Sequence, residues 1–129
     1  MKLGIASALA ALLVAPAIAH HSFDAEFDRN KPVTVTGTVT MLEWTNPHAR
    51  VYVEVKDASG KAVTWDFELA GPNGLMRRGW TRSSLKPGDT VTVTAYAAKN
   101  VEHVGNASSI TTADGRKMFA GSSAGGPGN

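Results

Sequence analysis

From Val33 to Trp44 the chain alternates. Val33, Val35, Gly37, Val39 and Met41 fall on one side, and Thr34, Thr36, Thr38, Thr40 and Leu42 on the other. Successive strand residues point to opposite faces, so this period of two predicts a long first strand. Gly37 lies in its middle, where an interior glycine marks a bend or bulge. Thr45-Asn46-Pro47-His48 interrupts the run as a turn. The period resumes over His48–Val55, with Val51, Val53 and Val55 inward and Arg50, Tyr52 and Glu54 outward. Asp57-Ala58-Ser59-Gly60 reads as a hairpin turn into a third strand, Ala62 to Ala70. There Val63, Trp65, Phe67 and Leu69 oppose Thr64, Asp66 and Glu68, which makes Asp66 and Glu68 solvated residues of the outer face.

The period then changes. Gly71 to Gly79 carries a proline near its start, two arginines near its end and a closing glycine, the polarity of a short helix. Ser83 to Asp89 is a tight connection, and Thr90 to Ala98 alternates again as a fourth strand. A loop from Lys99 to Asn106 leads to strands at Ala107–Thr112 and Arg116–Phe119, joined by a turn at Asp114-Gly115. Three strands, a helix and two more strands is the order of a five- to six-stranded OB-like Greek-key barrel over residues 33–119. A small all-β sandwich is the alternative. Residues 20–32 form a leading segment in which Phe23 and Phe27, four apart, share a face of one helical turn or peg an irregular stretch to the barrel.

The two ends are compositionally different. Residues 1–19 combine Lys2, an apolar run from Leu3 to Val14 and an Ala17-Ile18-Ala19 exit, the parts of a cleavable signal peptide. That run is too short for a permanent membrane span. The Gly/Ser-rich stretch 121–129 reads as a disordered tail. Export places the mature domain in the periplasm or outside the cell, with no transmembrane anchor after processing. Its charge is close to neutral: the chain has 13 Lys+Arg and 11 Asp+Glu, and only Lys2 is lost. That balance argues against nucleic acid as a partner. With no cysteine, disulfides, iron–sulfur clusters, c-type haem and thiol catalysis are excluded.

Several segments carry a resemblance. An Ala-His-His-Ser-Phe junction, Val35-Thr36-Gly37-Thr38-Val39, Trp44-Thr45-Asn46-Pro47-His48, Arg77 to Arg82, Leu85-Lys86-Pro87-Gly88-Asp89 and Asp114-Gly115-Arg116 resemble a family of small exported bacterial proteins known only as a domain of unknown function. The resemblance covers nearly the whole mature chain. It implies an exported single domain and no activity, so no catalytic residue follows from it.

The candidate chemistry lies in the histidines. Cleavage after Ala19 makes His20 the first mature residue, whose α-amine and ring Nδ1 can chelate one metal. A third nitrogen from another histidine completes an all-nitrogen set suited to Cu(II). The others are His21, His48 in the loop between strands one and two, and His103 in the loop between strands four and five. In an OB-like barrel those loops flank one face, which is expected to bring His48 and His103 to a common rim. Asp24, Glu43 and Glu102 are candidates to orient the imidazoles. A copper carrier or sensor is one function class. Against it stands the plain reading of a frayed polar terminus, a turn histidine and a solvated loop histidine.

A metal-free adaptor is the other class. It would hold an envelope protein or small ligand through the barrel face or through Arg77, Arg78, Trp80 and Arg82, where arginines and an indole can grip an anionic group. The same residues also fit a helix end with Trp80 plugging the barrel. Asp66 and Glu68 share spacing with glycosidase carboxylates but no cleft signature, and no enzyme is expected.

Overall fold

Valine and threonine dominate the first strand, and it becomes the longest element. The computed structural model describes residues 23–121. β1 spans Phe27–Glu43, β2 Arg50–Lys56, β3 Ala62–Glu68, β4 Thr90–Ala98, β5 Val104–Thr112 and β6 Lys117–Phe119; a helix, α1, spans Pro72–Arg77 between β3 and β4. The sheet order is β3-β2-β1-β4-β5-β6, and β3 also pairs with β5. Five strands therefore form a ring. The closing pair is parallel, at Asp66–Glu68 against Val104–Asn106, while the other ladders are antiparallel. This is the OB-like order expected from the pattern, with β6 added against the end of β5.

β1 begins at Phe27, six residues before the expected Val33, because the stretch ahead of Pro32 continues along β4 to pair Phe27 with Ala98. Residues 23–26 form one helical turn, and Phe23 and Phe27 are both buried with ring centroids 5.4 Å apart. The turn carries Phe23 and β1 opens on Phe27, so the pair packs together across a helix–strand junction. The expected signal segment 1–19, His20, His21 and the expected tail beyond Gly121 lie outside the described residues.

β1 serves two neighbours, β4 up to Thr38 and β2 from Thr38 onward. The irregularity falls between Val39 and Met41, not at Gly37. One extra residue there reverses the alternation, as a bulge does. Met41 turns outward, 48% exposed, and Leu42 turns in against the core, the opposite of the expected assignment. β5 also starts earlier than expected, at Val104. Gly105 lets its backbone pass the Phe67 ring, whose atoms lie 3.2 Å from where a Cβ would stand.

Inside the ring, Val35, Val39, Val51, Val53, Phe67, Leu69, Val91, Val93 and Ile110 form the core. Trp65 stacks on Phe67 at 5.3 Å. Leu75 of α1, Trp80 and Leu85 fill one end and are almost fully buried. α1 has no side-chain cap, so its position rests on Pro72 and Leu75, both buried.

Candidate functional site

Alternation along β2 and β3 sends Arg50, Tyr52, Asp66 and Glu68 to the outside of the ring, yet they are not bathed in solvent. Arg50 Nη1 donates to Asp66 at 2.7 Å and Nη2 to Glu68 at 3.4 Å. Asn106 of β5, itself buried, donates to the other Glu68 oxygen at 3.3 Å. Tyr52 donates its hydroxyl to Glu43 at 3.2 Å. The Glu68 side chain is only 13% exposed, which corrects the expectation of a solvated Asp66–Glu68 pair. Burial pushes the Glu68 carboxyl above its ordinary range, and the charge of Glu26 adds to this; His48, Arg50 and Asn106 oppose it without cancelling it.

The N-terminal segment lies on this side of the molecule. Phe23 meets Tyr96 of β4 edge-on at 6.0 Å, and Tyr96 is the register partner of Asn106. Arg29 stacks over Phe23 at 4.3 Å and pairs with Asp24 at 2.9 Å. Lys99 donates its backbone N–H to Glu26 O at 2.9 Å and its ammonium to Asp24 O. Beneath the segment a cavity of about 230 Å³ is lined mostly by apolar groups, with Glu26 and Arg50 at its wall.

Of the sequence-predicted histidines, two are described and the ring does not bring them together. Ala49 exchanges backbone hydrogen bonds with Leu69 and Ala70, so His48 sits beyond the C-terminal end of β3. His103 directly precedes Val104, which is level with Asp66, so it stands beside Trp65 with the rings 5.4 Å apart. Five residue positions, from Trp65 to Ala70 just past β3, separate the two levels, about 16 Å at strand rise. The expected common rim is therefore corrected. β3 and β5 run parallel, and the loop before β5 opens at the opposite end from the loop before β2. His103 is exposed, holds φ 56°, and accepts the Asp66 N–H through its carbonyl at 2.9 Å. His48 Nδ1 lies 3.0 Å from Leu69 O and 4.0 Å from Glu68. Among the described residues no group of three or more His, Cys, Asp or Glu is arranged to hold a metal ion.

The arginine cluster divides as well. Trp80 is 2% exposed and donates Nε1–H to Phe119 O at 3.0 Å. Its indole belongs to the core and presents no stacking face. Arg78 donates to Gly121 O, while Arg77 and Arg82 are exposed. Arg77 and Arg78 line a hollow of about 530 Å³ with Asn46, Pro47, Gly71 and Asn73.

A family model matches residues 8–107, most of the chain. The chain belongs to DUF6152, a family of unknown function. No curated protein matches it. Among the described residues no helix of this DUF6152 protein is long and apolar enough to cross a membrane.

What this DUF6152 face can do follows from its charges. Glu26, Glu43, Asp66 and Glu68 face Arg50, and Asp24 pairs with Arg29 beside Lys99, so carboxylates outnumber cations on this side of the described chain and the imbalance attracts cations. Arg50 is held more firmly protonated than usual: burial opposes its charge, but the Asp66 hydrogen bond and the charges of Asp66 and Glu68 prevail. Sequence alternation alone missed Glu68 and Asn106. The signal for Asn106 was faint, a polar residue three positions after His103.

One consequence is a pH-dependent stability. Because folding raises the Glu68 pKa, the folded state binds its proton before the unfolded state does, and the destabilisation present at neutral pH is relieved as pH falls toward the ordinary glutamate value. In Arg50→Ala the Glu68 pKa rises further and Asp66 loses its partner. Unfolding in urea at pH 7.5 should then show a loss of about 1–2 kcal/mol, discounted because Arg50 is one-third exposed. At pH 5 the gap from wild type should narrow. A gap that widens on acidification would show that burial does not control Glu68.

Proposed function

We propose that this protein is an exported, periplasmic binding module that carries or senses Cu(II) at its mature N-terminus. The observation that carries the reading is the anchoring of residues 23–27 on the outside of the ring, through buried Phe23 and Phe27. His20 precedes Phe23 by three residues, about 10 Å of chain at most. The described chain thus begins, at Phe23, on the side of the molecule that carries Glu26, Asp66 and Glu68, and this supports the reading. A free amine and the ring Nδ1 of His20 supply two nitrogens at once, and an amine with a pKa near 8 yields its proton to a metal around neutrality. His21 is an alternative donor from the same segment.

The test is mass analysis of the exported protein followed by Cu(II) titration. Cleavage after Ala19 and micromolar or tighter binding are expected. Retaining one residue before His20 should weaken binding by about a hundredfold, since the His20 amine that closes the chelate with Nδ1 exists only at the free terminus. Binding that is indifferent to an added residue would end the copper reading.

The hollow bordered by Arg77, Arg78, Asn46 and Asn73 favours a second reading, an adaptor that holds an acidic group of an envelope partner or a small anion there. Trp80 has no place in it, because its ring is buried.

A further inference from the structure

We infer that the cavity beneath the N-terminal segment is a binding site for a small organic ammonium ion, with Glu26 as the carboxylate that meets its charge. The site does not depend on copper and uses none of the histidines.

The cavity exists because small side chains meet where β1 leaves β4. Phe27 pairs with Ala98, and the next register pair is Pro32 with Tyr96, so the chain between them bulges away from β4. Ala25 and Ala98 bring only methyl groups to the space, and Phe27, Val101 and Val104 complete an apolar wall. Phe27 is buried, which gives the wall a fixed side, while Val101 is 60% exposed, an apolar side chain left open to solvent. The volume of about 230 Å³ exceeds the roughly 150 Å³ of an apolar cavity that takes up benzene. It stays below the roughly 300 Å³ at which sites for drug-sized molecules begin. One six-membered ring with a short arm fits it.

Charge decides what the arm carries. The polar lining residues are Glu26, Arg50 and Asn100. Arg50 gives Nη1 to Asp66 and Nη2 to Glu68, so its charge is already answered twice. Arg29 pairs with Asp24, and the Lys99 ammonium donates to Asp24 O. The Glu26 carboxylate accepts no hydrogen bond and joins no ion pair among the described residues. Its carbonyl, by contrast, accepts the Lys99 N–H at 2.9 Å, so the backbone is fixed and the side chain is open. Glu68 feels the charge of Glu26, which places the two carboxylates near one another. An anionic arm is repelled there. An ammonium arm is attracted by both, and it leaves the apolar body of the ligand against Phe27 and Val104, out of water.

The probe is 2-phenylethylammonium, titrated into the purified protein with EDTA present and followed by backbone amide chemical shifts. A dissociation constant of about 1 mM or tighter is expected for a ligand of this size, with the shifts concentrated at Ala25, Phe27, Ala98 and Val101. The neutral analogue 2-phenylethanol should bind about fivefold more weakly, the size of a partly exposed ion pair, and phenylacetate more weakly still. Glu26→Gln should lose the same factor of about five for the ammonium and nothing for the alcohol. It should not lower the melting temperature, because the carboxylate it removes is exposed and unpaired among the described residues. Ala25→Leu fills the cavity and should abolish binding of ammonium and alcohol alike.

An ammonium that binds more weakly than about 10 mM would overturn the site altogether. If phenylacetate binds as tightly, or if Glu26→Gln leaves the ammonium unaffected, Glu26 is not the partner of the charge. If Ala25→Leu keeps full affinity, or if the shifts gather around α1 or Trp65 instead, the ligand does not occupy this cavity.

Discussion

Replacing Gly37 with alanine should remove about 3 kcal/mol of stability, because the space for a side chain is already taken by the neighbouring strand. A Cβ built on Gly37 would stand 2.2 Å from Glu54 O, 2.9 Å from a Val53 methyl and 3.0 Å from a Val55 methyl. The methyl groups belong to side chains that can rotate. The oxygen belongs to the backbone of β2, and it moves only if the β1–β2 ladder opens. That ladder begins one residue later, at Thr38 opposite Glu54, so the clash falls where β1 passes from β4 to β2. For a domain near 100 residues such a loss lowers the melting temperature by more than about 12 °C. Thermal and urea unfolding of Gly37→Ala beside wild type measure it directly. A variant within about 1 kcal/mol of wild type would mean the two strands separate there at little cost.

Trp80→Ala should be at least as damaging, about 4 kcal/mol for the lost indole and the cavity it leaves. The indole is 2% exposed, and its Nε1–H satisfies Phe119 O at 3.0 Å. Leaving that carbonyl without its donor adds about 1 kcal/mol. Trp80→Phe should recover most of the apolar burial but not the hydrogen bond, and so fall between the two. Exposed Arg77 and Arg82, truncated to alanine, should each change stability by no more than about 0.5 kcal/mol. Chemical denaturation of the four variants separates a plug from a ligand-stacking platform. If Trp80→Ala unfolds like wild type, the indole is not part of what holds the end of the ring closed.

The strands were legible because a one-sided core imposes a period of two. β4 occurs over the expected residues, and the helix falls inside its expected span. Met41 and Leu42 were not legible. A bulge inserts one residue and reverses every later assignment, and nothing in a run of apolar residues announces which one is extra. Asp66 and Glu68 were read as solvated for a related reason. Alternation says which face a side chain leaves by, not what lies over that face. Here Arg50, Asn106 and the chain near Glu26 surround Glu68. The early start of β5 was hidden because Gly105 and Asn106 do not look like strand residues, and parallel pairing with β3 recruits them.

By itself the sequence determined the order of elements, the apolar faces that close on one another and the four histidines from which any imidazole site must be built. Those are local or compositional properties, set by periodicity and residue type. The tertiary structure alone decided which of those residues share a neighbourhood. Parallel β3 and β5 put His48 and His103 at opposite ends, while ring closure set His48 beside Glu68. Proximity between residues far apart in the chain is created by strand direction and register, and neither is written in the alternation of one strand.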